Sequence, residues 1–535
     1  MPNARSICFA LFLCIATSAF GADATFTITG SVVDSMSGAV LPARIYIKSE
    51  EGKWFFVKSA SPSGSALEMR KTVSPTSLEM HTTISAHPFI AQLPPGHYVI
   101  SAERGKEYIP AHETIVVSNA PVAVKLKLKR WIDMAALGWY SGDTHSHRPL
   151  TEMTNVLLAE DVNLGFPMTQ WVTATEASPL KANKASGNIP AGEVSTVDPT
   201  HLLYPLNTEY EIFTTAGKSH TLGAILVIGH KTPFDFGVPP VTPVAEKAHR
   251  EGALIDLEKH SWPWSIAMVP VLNVDLFELS NNHVWNTEFG FPQWTLPAAG
   301  KYMNLQIDEK GFTEWGWIDF GFQTYYALLN CGFRLRPTAG TAAGVHPVPF
   351  GFGRVYVQPS GVFNYENWMK GLNAGRSFVT TGPILFIRAN GVEVGTTNGP
   401  VSKVRITGIV QGLAAIEQVE VIVNGKIAKT ITPPAAIESG IYKSKLDITV
   451  PIDGTSWVAV RAFEKNNGRK NRFAHTSPIY FDDPKKPLHP SREEIDYLIG
   501  RVKEEIVRNQ NILMPEALQE YKSALSKYEA IGKTD

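Results

Sequence analysis

The sequence predicts an α/β protein in which a central α/β region lies between two β-sandwich domains and is followed by a short helical tail. Two observations carry this prediction. On both sides of the central region, short alternating segments are separated by turns, which is typical of antiparallel sandwiches. Within it, strand-like and helix-like segments alternate, which favours a mostly parallel sheet with helices packed against it.

The composition is that of a folded globular protein. The chain has 535 residues, of which 44% are hydrophobic and 19% are charged, so we expect several globular domains. A net charge of -1 argues against a nucleic-acid-binding protein. Two of the three cysteines, Cys8 and Cys14, lie in the N-terminal segment, so only Cys331 is expected in the mature chain and no internal disulfide can form.

Residues 1–22 are typical of a secretory signal peptide. Arg5 supplies a positive charge, residues 7–20 are nearly all apolar, and residues 19–21 have the small-x-small pattern that precedes cleavage. The apolar run is too short to span a bilayer comfortably. We therefore expect a secreted or periplasmic protein without membrane attachment beyond the cleaved signal; an uncleaved anchor is the alternative.

The first sandwich is predicted over residues 23–130. Residues 30–44 follow the pattern G-x-V-x-D and then G-x-x-x-P-A-R, which resembles the carboxypeptidase-regulatory-like β-sandwich of secreted proteins. The central domain is predicted over residues 131–391, with strands at 222–228, 253–257 and 271–279 and a helix at 244–251. Residues 392–483 are expected to form the second sandwich.

The last segment, residues 484–535, is predicted to be a helical hairpin. Ser491 and Glu494 have the spacing of a capping box at the start of a helix, and apolar residues then recur at helical spacing. A second amphipathic helix is expected over residues 513–531. The hairpin is expected to dock on the protein, with a partner-binding role as the alternative.

Two histidines mark the candidate site. His145 and His147 end a predicted buried strand, and side chains at i and i+2 point to the same side of a strand. Both imidazoles can therefore bind one divalent metal ion, such as Zn, Mn or Fe. Two polar loop residues are the alternative interpretation of this pattern.

The run Gly142-Asp143-Thr144-His145-Ser146-His147 resembles the PHP metallohydrolase superfamily, and within it the carbaryl-hydrolase-like branch. Further similar blocks are residues 157–161, 252–257, 325–335, 338–340, 353–357 and 375–383. The resemblance implies a distorted (β/α)7 barrel with one to three metal ions and a metal-activated water. It implies hydrolysis of phosphoesters, or of carbamates, amides and esters in this branch.

The sequence departs from the family pattern twice. The Asp-His pair expected one strand later is missing from residues 171–176, and the Asp-x-His motif expected after Gly340 is reduced to His346. A reduced site with one or two metals is therefore expected, and loss of catalysis is the alternative.

The remaining candidates follow predicted strands. Glu209 and Glu211 lie where the family's bridging glutamate falls, and Glu258 and His260 follow the strand at 253–257. His230 and His283 are further candidates, whereas Asp275 and Glu278 are as consistent with structural roles. Asp143 is expected to orient a ligand histidine by hydrogen bonding, and Arg148 to steady an anionic substrate group.

The sequence thus favours a metal-dependent hydrolase. In it, the metal ligands come from His145, His147, Glu209, Glu211, Glu258 and His260, while His230, His260 and His283 complete the site or act as general acid and base. The substrate is expected to be a small molecule or a carbohydrate, and the oligomeric state is left open. The alternative is a catalytically reduced PHP-like protein that binds a carbohydrate or another ligand.

Overall fold

The computed structural model describes residues 24–75, 77–181, 188–285, 298–433, 437–465 and 471–533. In these ranges the protein is a mixed α/β structure with several β-sheets and eight helices. The predicted signal peptide, residues 1–22, lies outside the described residues. No helix in the described ranges combines the length and the apolar character needed to cross a membrane.

The N-terminal region consists of two facing sheets with a hydrophobic core of their own. Its strands are β1 (Phe26–Asp34), β2 (Ala43–Ser49), β3 (Trp54–Phe55), β4 (Lys58–Ser59), β5 (Ala66–Thr72), β6 (Leu78–Ile84), β7 (Phe89–Leu93), β8 (Gly96–Glu103), β9 (Tyr108–Ile109), β10 (Ala111–Val117) and β11 (Val122–Arg130). One sheet has the order β4-β7-β1-β11-β9 and the other β10-β8-β2-β6-β5. Along β11, Val124, Leu126 and Leu128 are buried while the lysines between them are exposed, as strand alternation requires.

The central region alternates strands and helices. Its elements are β12 (Tyr140–Ser146), α1 (Leu150–Ala159), β13 (Leu164–Pro167), β14 (Gln170–Ala174), β15 (Ser195–Asp198), β16 (His201–Leu203), β17 (Thr208–Thr215), β18 (Lys218–Ile228), α2 (Thr242–Glu251), β19 (Leu254–Leu257), α3 (Trp264–Ala267), α4 (Val269–Leu272), β20 (Leu276–Ser280), β21 (Ile307–Asp308), β22 (Gly311–Phe312), α5 (Glu314–Asn330), β23 (Arg336–Ala339), β24 (Arg354–Val357), α6 (Tyr365–Asn373) and β25 (Ser377–Thr380).

Six of these strands form one sheet in the order β14-β17-β18-β19-β20-β23. Its pairing is mixed: β18 runs antiparallel to β17 and β19, whereas β19, β20 and β23 are parallel. The strand predicted over residues 271–279 is shorter than expected. Residues 269–272 are helical, and Asn273 then adopts a left-handed conformation that ends the helix before β20.

The C-terminal strands are β26 (Ile384–Ala389), β27 (Val392–Glu393), β28 (Thr397–Asn398), β29 (Lys403–Gly412), β30 (Ile416–Val423), β31 (Lys426–Ile431), β32 (Ile437–Glu438), β33 (Ile441–Pro451), β34 (Ser456–Glu464), β35 (Phe473–Thr476) and β36 (Ile479–Phe481). Five of them form the sheet β27-β26-β29-β33-β32. The others extend a sheet that begins in the central region, because β25 pairs with β35. One twelve-stranded sheet therefore joins the two regions.

The chain ends in a docked pair of helices, α7 (Arg492–Asn509) and α8 (Pro515–Ile531). The capping box predicted at Ser491 and Glu494 is present, with both reciprocal hydrogen bonds. Leu498, Val502 and Tyr521 are completely buried in the core of the central region. The hairpin is therefore an integral part of the fold rather than an appendage.

Candidate metal centre

Strands from two sheets meet at one buried point. β12 belongs to the twelve-stranded sheet, whereas β17, β19 and β20 belong to the six-stranded sheet. Thr144 on β12 donates a hydrogen bond to the carbonyl oxygen of Ala339 at the end of β23, at 3.2 Å, which ties the two sheets together. The polar side chains at these strand ends therefore converge.

His145 and His147 present their Nε2 atoms to the same point. The two nitrogens lie 3.1 Å apart. Glu209 on β17 completes the group, with Oε2 3.1 Å from Nε2 of His147 and Oε1 3.7 Å from Nε2 of His145. The ligand atoms of these three side chains lie within 4.8 Å of one another, as the donors around a single metal ion do. The predicted i, i+2 arrangement of the histidines is therefore present, together with a predicted glutamate.

The other nitrogen of His145 faces two carboxylates. Its Nδ1 lies 3.2 Å from Glu278 Oε1 and 3.2 Å from Glu258 Oε2. A metal-bound histidine commonly donates its second N–H to a carboxylate, which fixes its tautomer and ring orientation. With Nε2 turned to His147 and Glu209, this side of His145 has the geometry of such a supporting contact.

Lys259 lies among the remaining carboxylates. Its Nζ contacts Glu258 and lies 2.9 Å from Glu211 Oε1. Glu211 also accepts a hydrogen bond from the indole N–H of Trp171 at 3.0 Å, and the Trp171 ring packs on His147. Of the two glutamates predicted on β17, Glu209 thus faces the histidines while Glu211 faces the lysine.

Burial sets the protonation of these groups. It raises the pKa of the Glu209, Glu258 and Glu278 carboxyls well above the usual range. Burial also lowers the pKa of His145 far below its usual value and that of His147 to about 4. Both imidazoles are therefore neutral at pH 7, which is the form that binds metals.

The donor set suits a divalent metal ion. In the described ranges, the buried Oε2 atoms of Glu209, Glu258 and Glu278 have no hydrogen-bond partner, and those of Glu209 and Glu258 lie 3.1 and 3.2 Å from ring nitrogens of His147 and His145. Buried carboxylates are costly unless a cation offsets their charge. Imidazole nitrogen and carboxylate oxygen together are typical ligands for Zn, Mn or Fe.

Asp143 has a different partner from the predicted one. It accepts hydrogen bonds from the backbone N–H of His145 at 3.1 Å, from the hydroxyl of Thr341 at 2.6 Å and from the N–H of Gly351 at 2.8 Å. It therefore fixes the end of β12 against the 341–351 segment, whereas the ring of His145 is oriented by Glu278. Asp143 was expected to orient the ring of a ligand histidine. In the structure it binds the backbone N–H of His145 instead.

His230 and His260 do not join the metal ligands. Both ring nitrogens of His230 are occupied, by Thr208 Oγ1 and by the carbonyl of Thr232, each at 2.9 Å. His260 packs against Trp317 and receives a hydrogen bond from Asn281 at 3.0 Å; it belongs to none of the metal-binding groups in the described residues. These contacts occupy both ring nitrogens of His230, whereas Nε2 of His260 is buried without a hydrogen-bond partner, so its role as general acid or base stays a prediction.

A cavity of about 750 Å³ opens beside the cluster. The predicted residues Glu211 and His283 line it, and so do Lys259 and His346. Trp262 and Phe213 add apolar surface, and Arg501, Glu504, Glu505 and Arg508 of α7 form part of the wall. The helical tail therefore contributes to the cavity that a substrate would enter.

Arg148 pairs with residues outside this cavity. Its guanidinium lies 3.4 Å from Glu79 of the N-terminal region and 3.7 Å from Glu152 on α1. It is not among the cavity-lining residues. The contacts assign it to the boundary between the two regions, in place of the predicted substrate contact.

Two residues of the site did not stand out in the sequence. The sequence was as consistent with a structural role for Glu278 as with a role in the site. Its position near the end of a strand, β20, is the signal that could have identified it. Lys259 follows Glu258 directly, and adjacent strand residues normally face opposite sides. Because β19 ends at Leu257, this alternation does not apply to Glu258 and Lys259, and both side chains lie in the cluster of charged residues.

No protein-family model matches the chain, and no curated protein matches it at a significant level.

Proposed function

We propose that the protein is a metal-dependent hydrolase that acts on a small-molecule ester, carbamate, amide or phosphoester. The observation that carries the proposal is the convergence of His145, His147 and Glu209 on one buried point beside a cavity. The PHP-like barrel and the carbaryl-hydrolase-like relationship belong to the same proposal. They are supported by the GDxHxH run and by the position of the histidines at the end of β12.

His145, His147 and Glu209 would hold the ion, with Glu278 orienting His145. When bound in such a site, a divalent ion lowers the pKa of water toward neutrality and polarises a carbonyl or phosphoryl oxygen. Lys259, His283 and His346 face the cavity. Burial lowers the pKa of His346 to about 3 and that of His283 well below its usual value, so both imidazoles that line the cavity are neutral at pH 7.

The cavity supports a small substrate. Its volume of about 750 Å³ lies within the range of small-molecule pockets. Trp262 and Phe213 offer apolar contact, and the charged residues of α7 offer polar contact. A small organic substrate with both apolar and polar groups matches this volume and lining better than a long polymer.

Metal content tests the proposal. Purified mature protein, prepared without added metal, is analysed by elemental mass spectrometry beside a His145→Ala/His147→Ala variant. A His97→Ala variant, which removes an exposed histidine of the N-terminal region, is the control. We expect a Zn, Mn or Fe ion in the wild type and the control, and its loss in the double variant. An absence of metal from the wild type, even after incubation with these ions, would refute the proposal.

Activity is then screened on ester, carbamate, amide and phosphoester substrates. The double histidine variant should keep its fold, seen in its circular dichroism spectrum, and lose turnover. Export to the periplasm or the medium is part of the proposal and rests on the N-terminal sequence alone. Mass spectrometry of the mature N-terminus tests it, with a new end after residue 21 or 22 expected.

A binding protein is the second candidate. Two departures from the family motifs favour it, together with Trp262 on the cavity wall, because aromatic rings stack on sugars. Glycan-array binding without turnover would support this alternative. In that case a Trp262→Ala variant should lose binding while the metal content stays unchanged.

A further inference from the structure

The contacts of Lys259 carry an inference that rests on the proposed metal site and deepens it. Glu209, Glu211 and Glu258 form a second group, without histidine, whose ligand atoms lie within 4.8 Å of one another, as those of His145, Glu258 and Glu278 also do. By geometry alone this group could take a divalent ion of its own. It shares Glu209 with the histidine group, so the two groups are neighbours in one cluster.

Lys259 occupies this second group. Its Nζ contacts Glu258, lies 2.9 Å from Glu211 Oε1 and lies 4.0 Å from Glu209 Oε1. The side chain is only 4% exposed. An ammonium group is a compact positive charge with three N–H donors, and here three carboxylates surround it.

The lysine is held at both ends. Its carbonyl oxygen accepts hydrogen bonds from the N–H of Trp262 at 2.9 Å and from the hydroxyl of Ser265 at 2.5 Å, which fixes the backbone at the start of α3. Its Nζ also lies 4.9 Å from the centre of the Trp262 ring, a cation–π distance. The ammonium therefore has a defined position rather than the freedom of a surface lysine.

We propose that Lys259 takes the place of a second metal ion, so that the centre holds one metal at His145, His147 and Glu209 and uses the ammonium as its second positive charge. A divalent ion cannot enter the Glu209–Glu211–Glu258 group while Nζ lies among these carboxylates. Because Lys259 also lines the cavity, its charge is placed to attract a negative oxygen of the substrate next to the metal.

The number of bound metals tests this proposal. Wild-type, Lys259→Met and Lys259→Arg proteins are incubated with Zn²⁺ or Mn²⁺, desalted and analysed by elemental mass spectrometry. Methionine keeps much of the lysine volume without its charge, and arginine keeps the charge. We expect one ion per chain in the wild type and the arginine variant, and two in the methionine variant. The added ion should disappear when Glu211→Gln is combined with Lys259→Met.

The outcomes separate this proposal from the proposed function. Two ions in the wild type, or one ion in a folded Lys259→Met protein, would overturn the role of Lys259 and leave the metal site intact. No ion in any of the proteins would overturn both. Circular dichroism and thermal melting establish whether each variant is folded.

A second comparison covers the case in which Lys259→Met does not fold. Glu211→Gln is then introduced into the wild-type protein. The ion count should remain one if lysine fills the second group. A fall from two ions to one would show that Glu211 binds a metal despite Lys259, which contradicts the proposal.

Discussion

Glu278 Oε1 lies 3.2 Å from Nδ1 of His145, on the side of the ring opposite to His147. A hydrogen bond from Nδ1–H to this carboxylate leaves the lone pair of Nε2 directed at His147 and Glu209. The pair joins β12 of one sheet to β20 of the other, so the tautomer of the candidate ligand depends on how the two sheets meet.

Replacing Glu278 should therefore weaken metal binding without removing a ligand from the histidine group. A Glu278→Gln variant keeps the size of the side chain but loses its charge. We expect a metal dissociation constant higher by about 10- to 100-fold. Competition with a chromogenic chelator measures it. Glu417→Gln, an exposed residue on β30, is the charge-matched control, and equal affinities in the two variants would contradict the assigned role.

Gly340 allows the same contact to form. A Cβ atom built on this residue would lie 2.3 Å from Cβ of His145 and 1.9 Å from Oε1 of Glu278. A Gly340→Ala variant should therefore displace both side chains and lose metal, measured by elemental analysis of the folded protein. Gly399→Ala is the control, because a Cβ there meets no atom within 4 Å. Normal metal content in Gly340→Ala would show that the contact tolerates displacement.

Part of this site could be predicted from the sequence. The histidines at i and i+2 on a buried strand predicted a shared ligand point, whereas Glu209 was expected from the resemblance to the PHP superfamily. Local periodicity also predicted the tail, where the capping box at Ser491 is present. In these cases the signal lies within a few consecutive residues.

The rest depends on contacts between distant segments. The hydrogen bonds that join β25 to β35 are made by backbone atoms. No residue pattern in the sequence therefore predicts that the twelve-stranded sheet continues from the central region into the C-terminal region. Glu278 and Arg148 acquire their partners only when separate elements pack: β20 beside β12, and α1 beside β6. A carboxylate or a guanidinium on its own does not reveal which opposite group it will meet.

The boundary between the N-terminal and central regions contains a buried ion pair. Nη1 of Arg44 on β2 lies 2.6 Å from both oxygens of Glu160, which caps the end of α1. Both residues are less than 10% exposed, at 7% and 2%. Removing one partner from a buried pair leaves an uncompensated charge, so Arg44→Ala should cost about 3–5 kcal/mol of stability.

Chemical denaturation followed by tryptophan fluorescence measures this loss. Arg405→Ala is the matched control, because it breaks the exposed pair with Asp447 and should leave the midpoint unchanged. Equal midpoints for Arg44→Ala and the wild type would mean that the buried pair adds nothing to the stability of this boundary.

Glu79 makes the stability of the same boundary depend on pH. It lies on β6, is 4% exposed and faces Arg148 at 3.4 Å. Burial raises its pKa from 4.5 to about 7, and the positive charge of Arg148 offsets this effect only in part. The other ionisable groups that act on it or lie beside it are Arg44, Lys71, Glu160 and His81.

The sign of the effect follows from proton linkage. Between pH 4.5 and 7 the folded protein keeps the Glu79 proton while the unfolded chain has lost it. Stability from this group is therefore fully present below pH 4.5 and is lost as the pH rises through about 7. A Glu79→Gln variant stays neutral at every pH. Its free energy of unfolding, relative to that of the wild type, should therefore rise by about 3 kcal/mol between pH 4.5 and 7. Denaturation midpoints at pH 4.5, 6 and 8 measure the difference, and parallel pH profiles for the two proteins would refute the assignment.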